Sequence, residues 1–134
     1  MADLTAPTAT AVNPVEMKEI FTGPAAEAIV AGRYVRYNTT SGTIEYGNAT
    51  DSAEARSGGI ALTSAAAGIT LTALRTGIVD LGNILGDLAY DADVYLSTND
   101  GRLATAAGTV TLVVGTVVPI WGHTTADKAL RVDL

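Results

Sequence analysis

Along residues 69–81 apolar and polar side chains alternate, with Ile69, Leu71, Ala73, Val79 and Leu81 on one parity and Thr70, Thr72, Thr76 and Asp80 on the other. A period of two puts one face of a strand against a core. Arg75 interrupts the apolar parity, and Gly77 permits a bulge that redirects it. We therefore expect a strand at 69–80. Runs rich in Val, Ile, Thr and Tyr, divided by Gly, Asn and Asp, predict others at 16–21, 34–38, 43–47, 59–63, 94–97, 102–105, 110–121 and 129–133. The run 110–121 is apolar on both parities, so it is either central in its sheet or covered by another subunit.

Two turns are well marked, Thr40-Ser41-Gly42 and Asn99-Asp100-Gly101, where glycine supplies the positive φ of a tight hairpin. Helix signals are few. Residues 24–31, with Pro24 at the start and Gly32 beyond the end, read as one short helix or as an irregular strand with a turn. Residues 84–88 could form a single helical turn.

The first fourteen residues differ from the rest. They are rich in Ala and Thr, contain Pro7 and Pro14, and offer only Leu4 and Val12 as sizeable apolar groups. Such a segment buries too little surface to offset its ordering entropy, so we expect an extended or flexible arm at 1–14 and one domain at 15–134. By composition it reads as a frayed terminus.

The strands repeat. At a spacing of 59, Val35 matches Val94, Tyr37 matches Leu96, Gly42 matches Gly101 and Ile44 matches Leu103. At a spacing of 56, Gly59 matches Gly115, Leu74 matches Leu130 and Arg75 matches Arg131. Each copy reads strand, glycine turn, strand, loop, glycine-led strand, final strand. The expected fold is all-β: a small antiparallel β-barrel or sandwich of two pseudo-repeated hairpin units, with an extended N-terminal arm and at most one or two short helices.

Composition narrows the function. The 134 residues carry 8 Lys+Arg against 14 Asp+Glu, a net charge of −6, and no basic stripe, which argues against nucleic-acid binding. No cysteine is present, so disulfide and thiolate chemistry are excluded. Neither a signal peptide nor a membrane-spanning run is evident, and we expect a soluble protein made in a cytoplasm, with no membrane partner. Without a secretion signal, the acceptor patterns at Asn38 and Asn48 carry no meaning.

Candidate chemistry is sparse. The single histidine, His123, lies in a polar turn, and Asp87, Asp91, Asp93 and Asp100 lack the central glycine and closing glutamate of a calcium loop. No phosphate loop, nucleophile elbow or zinc-binding helix motif occurs. We expect no catalytic residue, no metal and no cofactor. Trp121, the sole tryptophan, is read as core or subunit interface.

The segments AGRYVRYN, SGGIALTSAAAGITLTALRTGIVDL, DADVYLSTNDGRLAT, VVGTVVPIW and ALRVDL, in that order, resemble the capsid decoration, or cement, proteins of tailed bacteriophages. The likeness rests on Gly59-Ile60-Ala61, Arg75-Thr76-Gly77, Val94-Tyr95-Leu96 with Asp100-Gly101, Val114-Gly115-Thr116 and Leu130-Arg131-Val132, and spans residues 28–134. Members are β-rich, non-enzymatic and typically trimeric. They sit on the outer surface of the expanded head where coat subunits meet, and their extended termini often clasp neighbouring subunits.

The resemblance implies a homotrimer bound to the major capsid protein. It makes Leu4, Thr5, Pro7, Val12 and Pro14 the candidate capsid-binding arm, and we place Val113, Val117 and Trp121 at the candidate subunit interface. A second reading is a glycan- or ligand-binding β module of a phage tail or adhesin, using Tyr34, Tyr37, Tyr46, Tyr90 or Tyr95. An enzyme subunit ranks last.

Overall fold

The computed structural model describes residues 3–120 and 127–134 of the chain. Among the described residues nine strands form: β1 (Val12–Pro24), β2 (Tyr34–Tyr37), β3 (Ile44–Tyr46), β4 (Gly58–Ala61), β5 (Thr70–Leu81), β6 (Asp93–Leu96), β7 (Leu103–Ala104), β8 (Val113–Pro119) and β9 (Lys128–Asp133). All nine coincide with runs expected from the sequence, although β1 extends well beyond 16–21 at both ends. They make one curled antiparallel sheet, a half-barrel, in the order β3-β2-β4-β5-β9-β8-β6-β7, with β1 on the other edge of β5.

That order is a palindrome. The path β3-β2-β4-β5 in the first half is repeated by β7-β6-β8-β9 in the second, and the copies join where β5 meets β9. The register repeats as well. Tyr37 faces Ile44 and Val35 faces Gly59, while Leu96 faces Leu103 and Val94 faces Gly115. In the fourth strand the sequence alignment needs correction. Ile60 faces Leu74 but Thr116 faces Arg131, so the spacing there is 57 and Arg131 is the counterpart of Leu74, not of Arg75. The link from third to fourth strand is one residue longer in the second copy, so the matched Leu-Arg pairs are out of register by one.

The two copies are also stitched at their turns. Gly101, at φ 69°, donates its N–H to the Gly47 carbonyl (2.9 Å) and accepts from the Tyr34 N–H (3.0 Å). A β-carbon there would lie 2.7 Å from the Tyr46 ring, so only glycine fits. Ala49 adds two more links, to the Ser97 carbonyl and from the Val110 N–H, both 2.8 Å.

Burial follows from this closure. The larger core gathers Tyr34, Ile60, Leu74, Val79, Leu81, Val94, Leu96, Val114, Val117 and Leu130 from both copies. A smaller one inside the first copy holds Val35, Ile44, Leu71 and Ala73, with Phe21 edge-on to Tyr37 at 5.5 Å. Cross-strand partners Arg36 and Glu45 form an ion pair, with the arginine nearly enclosed.

The short elements differ from expectation. Residues 24–31 form no helix; Ala25 and Ile29 instead make isolated bridges to Ile44 and Ala65, which is the irregular-strand alternative. Residues 82–87 are successive turns, with the Gly86 N–H on Asn83 and the Leu88 N–H on Leu85. A short α-helix, α1 (Ser52–Ala55), is capped by Asp51, whose carboxylate accepts the Glu54 N–H at 2.9 Å. A 3-10 turn spans Ala9–Ala11.

Gly59 and Gly115, matched in the two copies, are required for space. A β-carbon at Gly59 would stand 2.6 Å from the Leu74 carbonyl oxygen, and one at Gly115 would overlap that of Arg131 still more closely. Backbone cannot rotate away as a side chain can. We expect Gly115→Ala to cost about 3 kcal/mol in urea unfolding, against about 1 kcal/mol for Gly42→Ala, whose surroundings are open.

Candidate interaction site: the N-terminal strap and the open edge

Residues 3–12 do not stand off the body. Asp3 bridges Ala104 antiparallel, and the Leu4 N–H donates to the Leu103 carbonyl at 2.8 Å, so the segment extends the sheet past β7. The Asp3 carboxylate accepts from the Ser97 hydroxyl (2.6 Å) and the Asn99 amide (2.7 Å). Arg102 donates to the Leu4 carbonyl (2.7 Å), and Arg33 to that of Pro7 (3.1 Å).

Leu4, Pro7 and Val12 are buried, and Pro7 and Val12 pack over Gly32, where any β-carbon would collide with both. The described part of the segment expected as an arm at 1–14 is extended and laid against the body. The segment has no core of its own, but the body supplies one. Thr5 and Pro14 are exposed, as are Thr8, Ala9 and Thr10, so the strap shows a polar outer side.

Strand β1 continues from the strap. Only β5 pairs with it, and among the described residues nothing covers its outer edge over 13–22. The other two sheet ends are covered by the chain itself: β7 by residues 3–4, and β3 by Ala25 and Ala26, the latter donating to the Ile44 carbonyl at 2.8 Å. Val15, Met17 and Ile20 are 42%, 56% and 46% exposed, an unusual concentration for one edge. Pairing with β5 skips Val15, Lys18 and Arg75, and the freed Arg75 side chain reaches Glu19 at 3.2 Å.

The subunit-interface candidates separate. Val117 is wholly buried in the larger core, with Val114, Leu130 and Val132, so its side chain is closed to another subunit. The two-sided apolar pattern of 110–121 thus marks a central strand. Val113 is 37% exposed, beside Leu112 and Leu134 in a shallow groove with Arg56 and Arg75. Trp121 and His123 lie outside the described residues.

The tyrosines also separate. Tyr34 is fully buried with its hydroxyl on the Ala55 carbonyl, and burial pushes its phenol well above the ordinary value. Tyr37, Tyr46 and Tyr95 are half-buried, while Tyr90 is exposed under the Lys128 ammonium at 5.2 Å. No three metal-ligating side chains converge among the described residues. Asp100 instead accepts from the Asn48 amide at 2.7 Å. Neither known family models nor curated protein sequences match the chain.

The clasp residues Asp3, Ser97, Asn99 and Arg102 were not singled out from the sequence, because partners 94 to 98 positions apart leave no local signal. Burial alone would raise the Asp3 carboxyl, but the bonds from Ser97 and Asn99 and the nearby Arg102 outweigh it and hold it below 3.8. A carboxylate depressed on folding stabilises above its ordinary pKa and loses that contribution as pH falls through the lower folded value.

Acidification through and below pH 3.8 should therefore loosen the strap. Asp3→Ala should do so at neutral pH, costing the docked segment about 1 kcal/mol. In hydrogen exchange the Leu4 amide loses protection in both cases while β5 amides keep theirs.

Proposed function

We propose that the protein is a bacteriophage head decoration protein: a structural, non-enzymatic virion component that binds the outside of the expanded capsid where major capsid protein subunits meet. The observation that carries this reading is the duplicated sheet. The segments on which the resemblance rests supply β4 to β6, β8 and β9 in the expected order, with Gly77 at the bulged strand and Gly101 at the second turn. A fold by itself hosts many functions, so the partner class comes from the resemblance.

In this reading the protein acts as a homotrimer and the strap meets the coat protein. Its outer side, with Thr5 and Thr8 to Thr10, lies open while Leu4, Pro7 and Val12 hold it to the body. An extended segment adds affinity by pairing with a partner's sheet edge, and several copies around one axis multiply weak contacts. Of the interface candidates within the described residues, Val113 with its groove is the one left exposed for the trimer contact. A net charge of −6 on each copy would keep decorated heads from associating.

The test is co-sedimentation of purified protein with expanded, undecorated heads, with unexpanded proheads as control. Saturable binding to expanded heads alone is expected; binding to neither refutes the assignment. Deleting residues 1–11 should weaken attachment and also lower stability, because Leu4 and Pro7 leave the core. Both are read from one preparation, by sedimentation and by thermal unfolding.

A further inference from the structure

The body recognises the strap residue by residue. Asp3 sets its two carboxylate oxygens on two side-chain donors, the Ser97 hydroxyl at 2.6 Å and the Asn99 amide at 2.7 Å, and Ser97 is fully buried. Leu4 donates its N–H to the Leu103 carbonyl, accepts from Arg102 on its own carbonyl at 2.7 Å, and buries its side chain. Pro7 accepts from Arg33 at 3.1 Å and seats its ring on Gly32. Residues 4–7 line a closed crevice with Gly32, Ile84, Gly101 and Leu103. An extended Asp-Leu-x-x-Pro segment therefore finds donors for its acid, bonds for its backbone, a slot for its leucine and a flat seat for its proline.

The connection from this segment to β1 is held far less. Thr8, Ala9 and Thr10 are exposed. The bonds of their turn stay within it, from the Ala11 N–H to the Thr8 carbonyl and from the Val12 N–H to the Ala9 carbonyl. Among the described residues no hydrogen bond ties 8–10 to the body. The strap is a ligand on a short tether.

We infer that the cleft across β7 and the 97–102 turn takes the strap of a second copy of this chain, so that copies in contact exchange straps. Fit identifies the occupant: the carboxylate donors, the apolar slot and the proline seat match residues 3, 4 and 7, and a second copy presents those residues in the same order. The bonds made are the same whether the strap comes from its own chain or from the next, which makes exchange a low-cost route to association.

Local concentration then decides which strap is bound. In dilute solution a short tether holds its own strap at an effective concentration on the order of millimolar, and the strap stays at home. Where copies lie side by side, the neighbouring cleft is as near as the native one. From Pro7 to Ala11 the chain spans at most about 14 Å, so exchange joins only copies in direct contact. The inference goes beyond the capsid reading and needs no coat protein, so either can fail without the other.

Two full-chain variants separate exchange from a strap that never leaves its own body. Asp3→Ala weakens the strap and keeps the cleft; Arg102→Ala keeps the strap and weakens the cleft. With the Arg102→Ala chain alone isotope-labelled, protection of its Leu4 amide against hydrogen exchange should rise about fivefold in an excess of unlabelled Asp3→Ala chain. The double variant Asp3→Ala/Arg102→Ala, added instead, should give no rise. This readout follows the strap itself and is independent of any other contact between copies.

A labelled peptide of residues 1–11 gives a second measurement. It should bind Asp3→Ala about fivefold more tightly than wild type, whose own strap competes, and the double variant should lose that gain. Circular dichroism checks that each variant folds. Leu4 protection unchanged on mixing overturns the proposal, even where the peptide binds, because the cleft then serves only its own strap. Equal peptide affinity for all three chains overturns it too.

Discussion

Strand β5 must satisfy three neighbours at once. On one edge it runs beside β1 for its whole length; on the other it pairs first with β4, at Ala73 and Leu74, and then with β9, from Thr76 to Val79. The handover falls at Arg75. That residue is skipped in the β1 ladder, and its carbonyl accepts the N–H of Leu134 at 3.2 Å, so the gap between β4 and β9 leaves no orphan acceptor there. Two residues on, Gly77 sits at φ 146°, and any side chain would strike the Glu16 carbonyl. Without that glycine β1 could not lie alongside, and without the β5–β9 seam the two copies would share no sheet.

The same accounting of backbone groups explains the periphery. A curled sheet of this topology has ends, and ends attract other strands. This chain covers β7 and β3 with the segments just before and just after β1. The strap is therefore part of the fold's hydrogen-bond inventory as well as a candidate contact. A partner that captured the strap would have to replace the bonds that Leu103, Ser97, Asn99 and Arg102 now make with it.

Much of this was legible from the residues. Period-two patterning located β5, runs rich in Val, Ile, Thr and Tyr between turn residues located the other strands, and paired glycines located both turns and the repeat, because strand faces and positive-φ positions tolerate few residue types. The misses share a different cause. Leu4, Pro7 and Val12 have no sizeable apolar residue next to them in sequence, so their burial depends on a surface assembled from residues far along the chain. Val117 could not be assigned from pattern, since a strand apolar on both parities fits a sheet centre and a subunit contact equally well. The cap of α1 did carry a signal, Asp51 three residues before Glu54, the spacing of a capping box. Pro14 and Pro24 likewise marked β1 as an edge, where a missing N–H goes unnoticed.

Duplication has left the two glycine turns in opposite circumstances. Gly101 is locked between Gly47, Tyr34 and Tyr46, whereas Gly42 has open space where a side chain would go, and the residues around it are exposed. The first copy thus keeps as a free loop what the second spends on closing the sheet. Foreign peptide inserted at residues 40–42 would extend into solvent without touching either core, while the same graft at 99–101 would part the two halves. If the protein coats a shell in many copies, that loop is its natural display position.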